Sequence, residues 1–338
     1  MLQLHNSTAF AADIVILPNE DGIDTLYVMA KAEFHVENGR LMLVEPQSPL
    51  KLQDEYQDTP HNSSLKWASD YHLCKSGTDV VILGDCINLQ GNAIKQCDID
   101  VHVGALHKTV RVFGDRIWQG DRMSEPRPFQ RMPILYENAF GGRVFAADNQ
   151  VQTTFAANPV GLGFAGGRNL EQMQGERLPN VEDPSFLIQN INDEPMPAAL
   201  GAIAPFWSGR AQFVGTYDEQ WEQERAPYLP ADFNRQFFRV ASPGLKSEEY
   251  FLGGESVFIS NMWERGDWAF NLPAVALYAH VTWRQKQYKF GLNIETVYLQ
   301  PNISQVSMTW RGSFAVNQFA LQVEEVQLKM QRQLSAAQ

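Results

Sequence analysis

The sequence predicts a mainly β fold: antiparallel, β-sandwich-like regions, a long Pro/Gly-rich loop insertion, and a short helix at the C-terminus. Three observations predict it. Apolar and polar residues alternate with a period of two in several segments, as half-buried strands require. Prolines fall at 126, 128, 133, 159, 179, 184, 195, 197, 205, 227 and 230, a density that no helical pattern survives. A hydrophobic content of 44% and an aromatic content of 11% give 338 residues ample core material.

The elements follow in order. Val28, Ala30, Ala32, Phe34 and Val36 alternate with Met29, Lys31, Glu33 and His35, which reads as a half-buried strand. Asn38-Gly39 supplies the positive φ of a tight hairpin turn, and Leu41 to Val44 returns. Residues 46–72 are polar and Pro-punctuated, a long loop. Asp79 to Leu83 is a buried-type strand. Ile99, Val101 and Val103 alternate with polar residues; Thr109 to Phe113, a Gly114-Asp115 turn and Arg116-Ile117-Trp118 complete a predicted meander. Asp218 to Glu224 fits one or two helical turns. Strands resume near 255–259 and continue through 279–283, 288–299 and 306–311. The triplet Thr-Trp-Arg occurs at 282–284 and at 309–311, too short to argue a repeat. Phe319, Val323, Val326, Met330 and Leu334 share a helical face, and a bulged strand fits almost as well; the Gln/Glu/Lys/Met/Ala composition favours helix from about residue 324. The chain thus divides into an N-terminal antiparallel β region (1–125), a loop-rich insertion (126–235), a C-terminal β region (236–316) and an amphipathic tail (317–338).

Composition excludes several function classes. A net charge of −12 argues against nucleic acid or an anionic membrane as partner. Cys74, Cys86 and Cys97 sit at no metal spacing and read as reduced thiols of a cytosolic protein. The N-terminus lacks the basic and apolar regions of a signal peptide, and no apolar run is long enough to span a bilayer, so neither export nor membrane insertion is expected.

Candidate chemistry is sparse. Gly161 to Gly166 matches G-x-G-x-x-G, but Asn158-Pro159 precedes it where a dinucleotide site needs a strand, so it reads as a structural loop and no cofactor is expected. Asp98, Asp100 and His102 share one strand face, a potential divalent-metal row whose bland reading is a solvated face; the bland reading is favoured and no metal is expected. Glu137, Glu182, Asp183 and Asp218 are candidates for a carboxylate pair, though ion pairs with Arg131, Arg143, Arg210 or Arg225 that pin loops explain them better. Of eight tryptophans, Trp283 and Trp310 read as core, and Trp118, Trp207, Trp221, Trp263 and Trp268 as staples near turns rather than a sugar platform. No nucleophile motif occurs, so the reading favours binding over catalysis.

The richest segment is Met132-Pro133 to Tyr136-Glu137-Asn138-Ala139-Phe140-Gly141-Gly142, followed by Asn158-Pro159-Val160-Gly161. Gly and Pro there fix the backbone and the aromatics read as buried, an ordered loop system. Together with Gly114-Asp115-Arg116-Ile117-Trp118, Leu178 to Glu182-Asp183-Pro184, Gly215-Thr216-Tyr217-Asp218 with Trp221, Leu229-Pro230 to Asp232-Phe233, Phe237-Phe238, Gly253-Gly254-Glu255 and Thr309-Trp310-Arg311, these residues resemble the domain-of-unknown-function 2169 family over roughly 10–315. Asn293 to Val297 departs from the expected Leu-Asp-Thr-like triplet. The resemblance implies a stand-alone bacterial type VI secretion adaptor or chaperone, working in the cytoplasm. Such proteins bind a toxin effector, often one carrying a PAAR domain, and help place it on the VgrG spike. The resemblance carries over no partner-contact residues. The alternative reading is a carbohydrate-binding or carbohydrate-active β protein.

Overall fold

Fourteen strands carry the two principal sheets of the computed structural model, which describes residues 3–88 and 91–331. They are β1 Gln3–Asn6, β2 Ala11–Pro18, β3 Asp24–Glu37, β4 Arg40–Leu43, β5 Asp79–Ile82, β6 Gln96–Val103, β7 Leu106–Phe113, β8 Val181–Glu182, β9 Ser256–Trp263, β10 Gly266–Asn271, β11 Leu277–Trp283, β12 Lys286–Gln300, β13 Gln305–Ala315 and β14 Val323–Met330. The nine-stranded sheet runs β1-β14-β11-β12-β13-β3-β2, with β4 beside β3 and β5 beside β12. The five-stranded sheet runs β8-β7-β6-β9-β10. The fold is mainly β and sandwich-like, as the period-two patterning requires.

The larger sheet curls on itself. β1 and β2 close opposite ends of its order, yet only residues 7–10 join them. That link reaches at most about 18 Å, so the two edges must approach. The 15-residue β12 makes the bend: residues 286–292 pair with β11, residues 293–300 pair with β13, and the register shifts between Ile294 and Thr296. A shift of that kind is how a strand turns a corner between two sheet directions.

One apolar core fills the space between the sheets. It holds Leu26, Val28, Ala30 and Ala32 of β3, Val101 and Val110 of the smaller sheet, and Val297, Met308, Trp310 and Val326. A second, smaller core lies between the insertion and the turn before it, built on Trp118, Phe140, Val144, Phe164, Met173 and Leu178.

Three expectations change. First, β3 is buried on both faces, not half-buried. The loop predicted over 46–72 folds back over its outer face, where Gln47 bonds both backbone groups of Glu33 and Lys31 lies 3.5 Å from Asp70. Second, Trp118 does not continue the meander. The chain turns away after β7, and β8 from the insertion takes the vacant edge through Val112↔Val181. Third, the helix expected from about 324 is strand β14, inserted between β1 and β11. Its buried Val323, Val326 and Leu328 are core residues, and pairing on both edges outweighs the composition's mild helical preference. Residues 332–338, the rest of that predicted tail, lie outside the described residues.

Strands from both ends of the chain therefore share one sheet: β2 to β5 lie with β11 to β14. The first Thr-Trp-Arg triplet ends β11, with Arg284 in the turn that follows, and the second lies on β13, across β12. Asp218 caps the helix Glu219–Glu224 by accepting from the Trp221 amide at 2.8 Å. No helix among the described residues is long and apolar enough to cross a membrane.

Candidate functional site

The Gly/Pro-rich motifs converge on one knot of loops, and the reasons are local. Asn158 is fully buried; its side-chain amide donates to the carbonyl oxygens of Tyr136 and Phe140 at 2.7 and 3.0 Å. The Tyr136 carbonyl also accepts from the Ala139 amide at 3.1 Å, so Asn158 is its second donor and ties the 136–140 turn to the 158–161 loop. Asn180 acts alike: its side chain donates to the Phe113 carbonyl and to Asp115 Oδ1, and its backbone bonds Phe113 and Asn138. Phe140–Gly141 and Leu162–Gly163 pair in parallel. Gly141 has φ +148° and Gly142 φ +120°; a Cβ at Gly141 would collide with the Asn158 carbonyl, and one at Gly142 would lie 2.8 Å from the Gly161 oxygen. Only glycine meets both demands.

The buried Arg116–Glu182 ion pair ties the 116–118 turn to β8. Arg116 also donates to the Pro179 carbonyl at 2.7 Å and stacks over Phe113, while Glu182 accepts from the Ile188 amide at 2.8 Å. Glu137 accepts from the Ser64 amide and hydroxyl, both at 2.7 Å, stitching the knot to the distant 63–64 turn. Asn138 donates to the Pro133 carbonyl. Asp183 accepts from the Ser185 amide, a one-turn contact beside half-buried Pro184. Pro159 follows the buried Asn158 and is half-buried. Gly114 needs its missing side chain because a Cβ would strike the Arg127 carbonyl.

A second cluster lies apart from this knot. Tyr217 packs edge-on against Trp221, whose indole donates to the Tyr228 carbonyl at 2.9 Å, and Asp232 accepts from the Thr216 amide and hydroxyl.

On the surface of the knot is an open groove of about 300 Å³, lined by Gly141, Gly142, Gly161, Gly163 and Gly175, by Leu162 and Phe164, and by Arg143, Arg168, Glu176 and Arg177. Its glycines serve the knot's own packing: a Cβ at Gly141, Gly142, Gly161 or Gly163 would meet protein atoms within 2.8 Å, and only Gly175 has open space beside it. Arg168 is held rigidly, donating to the Phe164 and Ala165 carbonyls with Glu176 at 3.3 Å.

The model of a family described as uncharacterized proteins conserved in bacteria, DUF2169, matches residues 21–311. The chain belongs to this family. No curated protein and no solved structure matches the chain. The DUF2169 match takes in both loop clusters, the groove and every motif position from Gly114 to Trp221, and it ends at Arg311.

The remaining sequence candidates are placed as follows. The row Asp98, Asp100 and His102 faces a complementary row on β7. Arg111 bonds Asp98 through Nε and Nη2 at 2.7 and 2.8 Å, Thr109 donates to Asp100 at 2.6 Å, and His107 stacks on His102 with ring centroids 4.2 Å apart. The Arg111 guanidinium holds the Asp98 carboxyl below its ordinary range. Among the described residues no group of three or more His, Cys, Asp and Glu is placed to hold a metal. Turns, not a helix, follow Gly163, so the G-x-G-x-x-G segment lacks the helix N-terminus a pyrophosphate needs. Glu137, Glu182, Asp183 and Asp218 each serve a separate turn or cap.

The arginines expected to pair with those carboxylates do pin loops, but differently. Arg210 donates to the Phe237 and Ile203 carbonyls, Arg225 to those of Leu229 and Glu20, and Arg143 to His61 O and Asn62 Oδ1. Arg131 bridges Asp85 and Glu264. Of the tryptophans, Trp118, Trp207, Trp268 and Trp310 are fully buried, and Trp67, Trp221, Trp263 and Trp283 half-buried.

Sequence reading missed a buried charge network on the outer face of the large sheet. Asp79, fully buried, accepts from Arg239 Nε at 2.7 Å, Lys75 Nζ at 2.8 Å and the Val240 amide at 2.7 Å. Lys75 also reaches Thr296 Oγ1 at 2.8 Å. Beside it, Arg311 Nε meets Glu295 at 2.7 Å, and Glu295 accepts from the Lys75 amide. Burial alone raises the Asp79 carboxyl, but Lys75 and Arg239 outweigh it and leave it below its usual range. Burial raises Glu295 in spite of Arg311. His72, packed on Phe238, is pushed well below its ordinary value by burial and then by Arg311 and Lys75. Arg311 and Glu295 were visible in the sequence as motif fragments. Their partnership across β12 and β13 was not, because the bulge at 294–296 sets it.

Proposed function

We propose that the protein is a non-catalytic adaptor of bacterial type VI secretion: in the cytoplasm it binds a toxin effector, PAAR-carrying in the simplest case, and helps load it onto the VgrG spike. The supporting observation is how the motif residues are used. Nearly every motif amide, carboxylate and glycine whose environment is described fixes a backbone, and the result is a broad, preformed loop surface on a β scaffold. Preformed loops lose less conformational entropy on binding a partner than floppy ones. The resemblance to effector adaptors supplies the partner class. The carbohydrate reading draws on tryptophan platforms, and none of the eight tryptophans is exposed.

The loop insertion, about 126–233, is the favoured contact surface. A tail that docks in a partner's groove is the competing one, but β14 is occupied within the sheet, so removing 317–338 strips a core strand. The test is affinity capture of tagged protein from the native host, followed by mass spectrometry, with effector-dependent killing measured after gene deletion. Enrichment of an effector with PAAR or VgrG components, and loss of killing, are expected. Unchanged secretion and killing in the deletion strain overturn the reading.

A further inference from the structure

We infer that the groove flanked by Arg143, Arg168 and Arg177 is a docking site for an extended, acidic segment of a protein partner. The inference rests on the adaptor reading and names the partner chemistry of that surface. Three guanidinium groups, Arg143, Arg168 and Arg177, face one carboxylate, Glu176, in the lining. This local cationic excess sits on a chain whose net charge is −12. It is therefore not a sample of the general surface but an exception to it.

The guanidinium groups have donors to spare. Each carries five N–H bonds. Arg177 is half-exposed and uses one nitrogen, Nη2, against Asp115 at 3.4 Å. Arg143 spends Nη1 and Nη2 on the 61–62 turn. Arg168 is fixed by two carbonyls and pairs with Glu176 at 3.3 Å, so it is ordered before a ligand arrives and a carboxylate there would share it with Glu176. Planar guanidinium forks match carboxylates in pairs.

The shape selects a peptide. A volume of about 300 Å³ admits a few extended residues but no helix, and Leu162 and Phe164 stand in the lining beside the arginines. Next to the groove, the hairpin that carries Arg143 exposes Phe145 and Val151 as a cross-strand pair. An apolar residue near the partner's carboxylates would cover them. A nucleic acid is the poorer occupant, because the chain's overall negative charge repels a long polyanion.

The test uses the full chain labelled with 15N-glycine and a capped decapeptide probe of alternating Glu and Gly with one central Leu. Titration to about 5 mM in about 20 mM salt should shift the groove glycines 141, 142, 163 and 175, and leave Gly22, Gly39 and Gly254 in place. Raising salt to about 300 mM should weaken binding several-fold. Arg177→Glu should weaken it about ten-fold or more, whereas Arg177→Lys should keep most of it. A Lys-for-Glu probe should not bind. Arg143→Glu is the second variant, and an unchanged melting curve certifies each. The inference is overturned by shifts spread over all glycines, by saturation that survives Arg177→Glu, or by equal binding of a ten-residue oligothymidylate. The peptide result is independent of client capture. If the groove binds as described while no effector co-purifies with the wild type, the adaptor reading fails and the groove stands.

Discussion

Two regions of this molecule solve the same problem with opposite chemistry. On the outer face of the large sheet, the segments 70–79 and 239–250 are fastened by buried charge: Asp79 between Lys75 and Arg239, and Glu295 against Arg311. In the loop knot the fastening is mostly neutral: Asn158 and Asn180 donate to buried loop carbonyls, and glycines allow backbones to touch. Charge pays for itself only while every member stays paired, and it responds to pH. Amides and glycines give a fixed shape that does not titrate. A binding surface benefits from the second kind, because its geometry then survives changes of condition.

The largest expected effect breaks the charged region. Asp79→Asn leaves Lys75 and Arg239 facing each other in a dry site, and stability should fall by about 3–5 kcal/mol. Denaturant unfolding monitored by tryptophan fluorescence measures it; a loss below about 1 kcal/mol would show that the network is not what fastens these segments.

Next come the knot's glycines. Gly141→Val forces a β-branched side chain to φ +148° against the Asn158 carbonyl, and Gly142→Val meets Gly161. At least one should lose about 1–3 kcal/mol. Gly175→Ala, where an added Cβ meets nothing within 4 Å, is the control that isolates backbone strain from collision. Parental melting of both valine variants would remove the ordered-loop argument.

Asn158→Ala should cost about 1–3 kcal/mol by removing two buried hydrogen bonds, to the Tyr136 and Phe140 carbonyls. Its effect should be the same at pH 6 and pH 8, since nothing in the contact titrates. A pH-dependent deficit there would show that the knot's fastening titrates as the charged region's does.

The smallest effect sharpens the contrast. The folded His72 resists protonation, so its pKa is depressed below the unfolded value near 6.5. As pH falls below about 6.5, the unfolded chain gains a proton that the native state refuses, and stability drops. Wild type should therefore lose up to about 1 kcal/mol more than His72→Gln between pH 7.5 and 5.5. Glu295, raised by burial, has the opposite sign and is present in both proteins, so the difference isolates His72.

The sequence by itself determined the fold class, most strands of both sheets, and the hairpin at Asn38 and Gly39, whose φ values are +50° and +74°. It also determined that the Gly/Pro-rich middle is ordered. These follow from local rules: a period of two, proline's missing donor, glycine's missing Cβ. Only the tertiary structure decided the rest. Lys31 and Glu33 alternate with apolar residues as a solvated face would, and it took the covering loop to bury them. Residues 324–330 had two local solutions, and the vacant place between β1 and β11 chose strand. Asp79, Arg239, Glu295 and Arg311 are unremarkable apart in the chain; they become a network because a bulge and a loop 160 residues away bring them into one dry pocket. The arginine-flanked groove likewise draws on residues from 141 to 177 that no spacing rule connects. Long-range pairing is set by packing and by the need to satisfy buried polar groups, and neither leaves a periodic mark on the sequence.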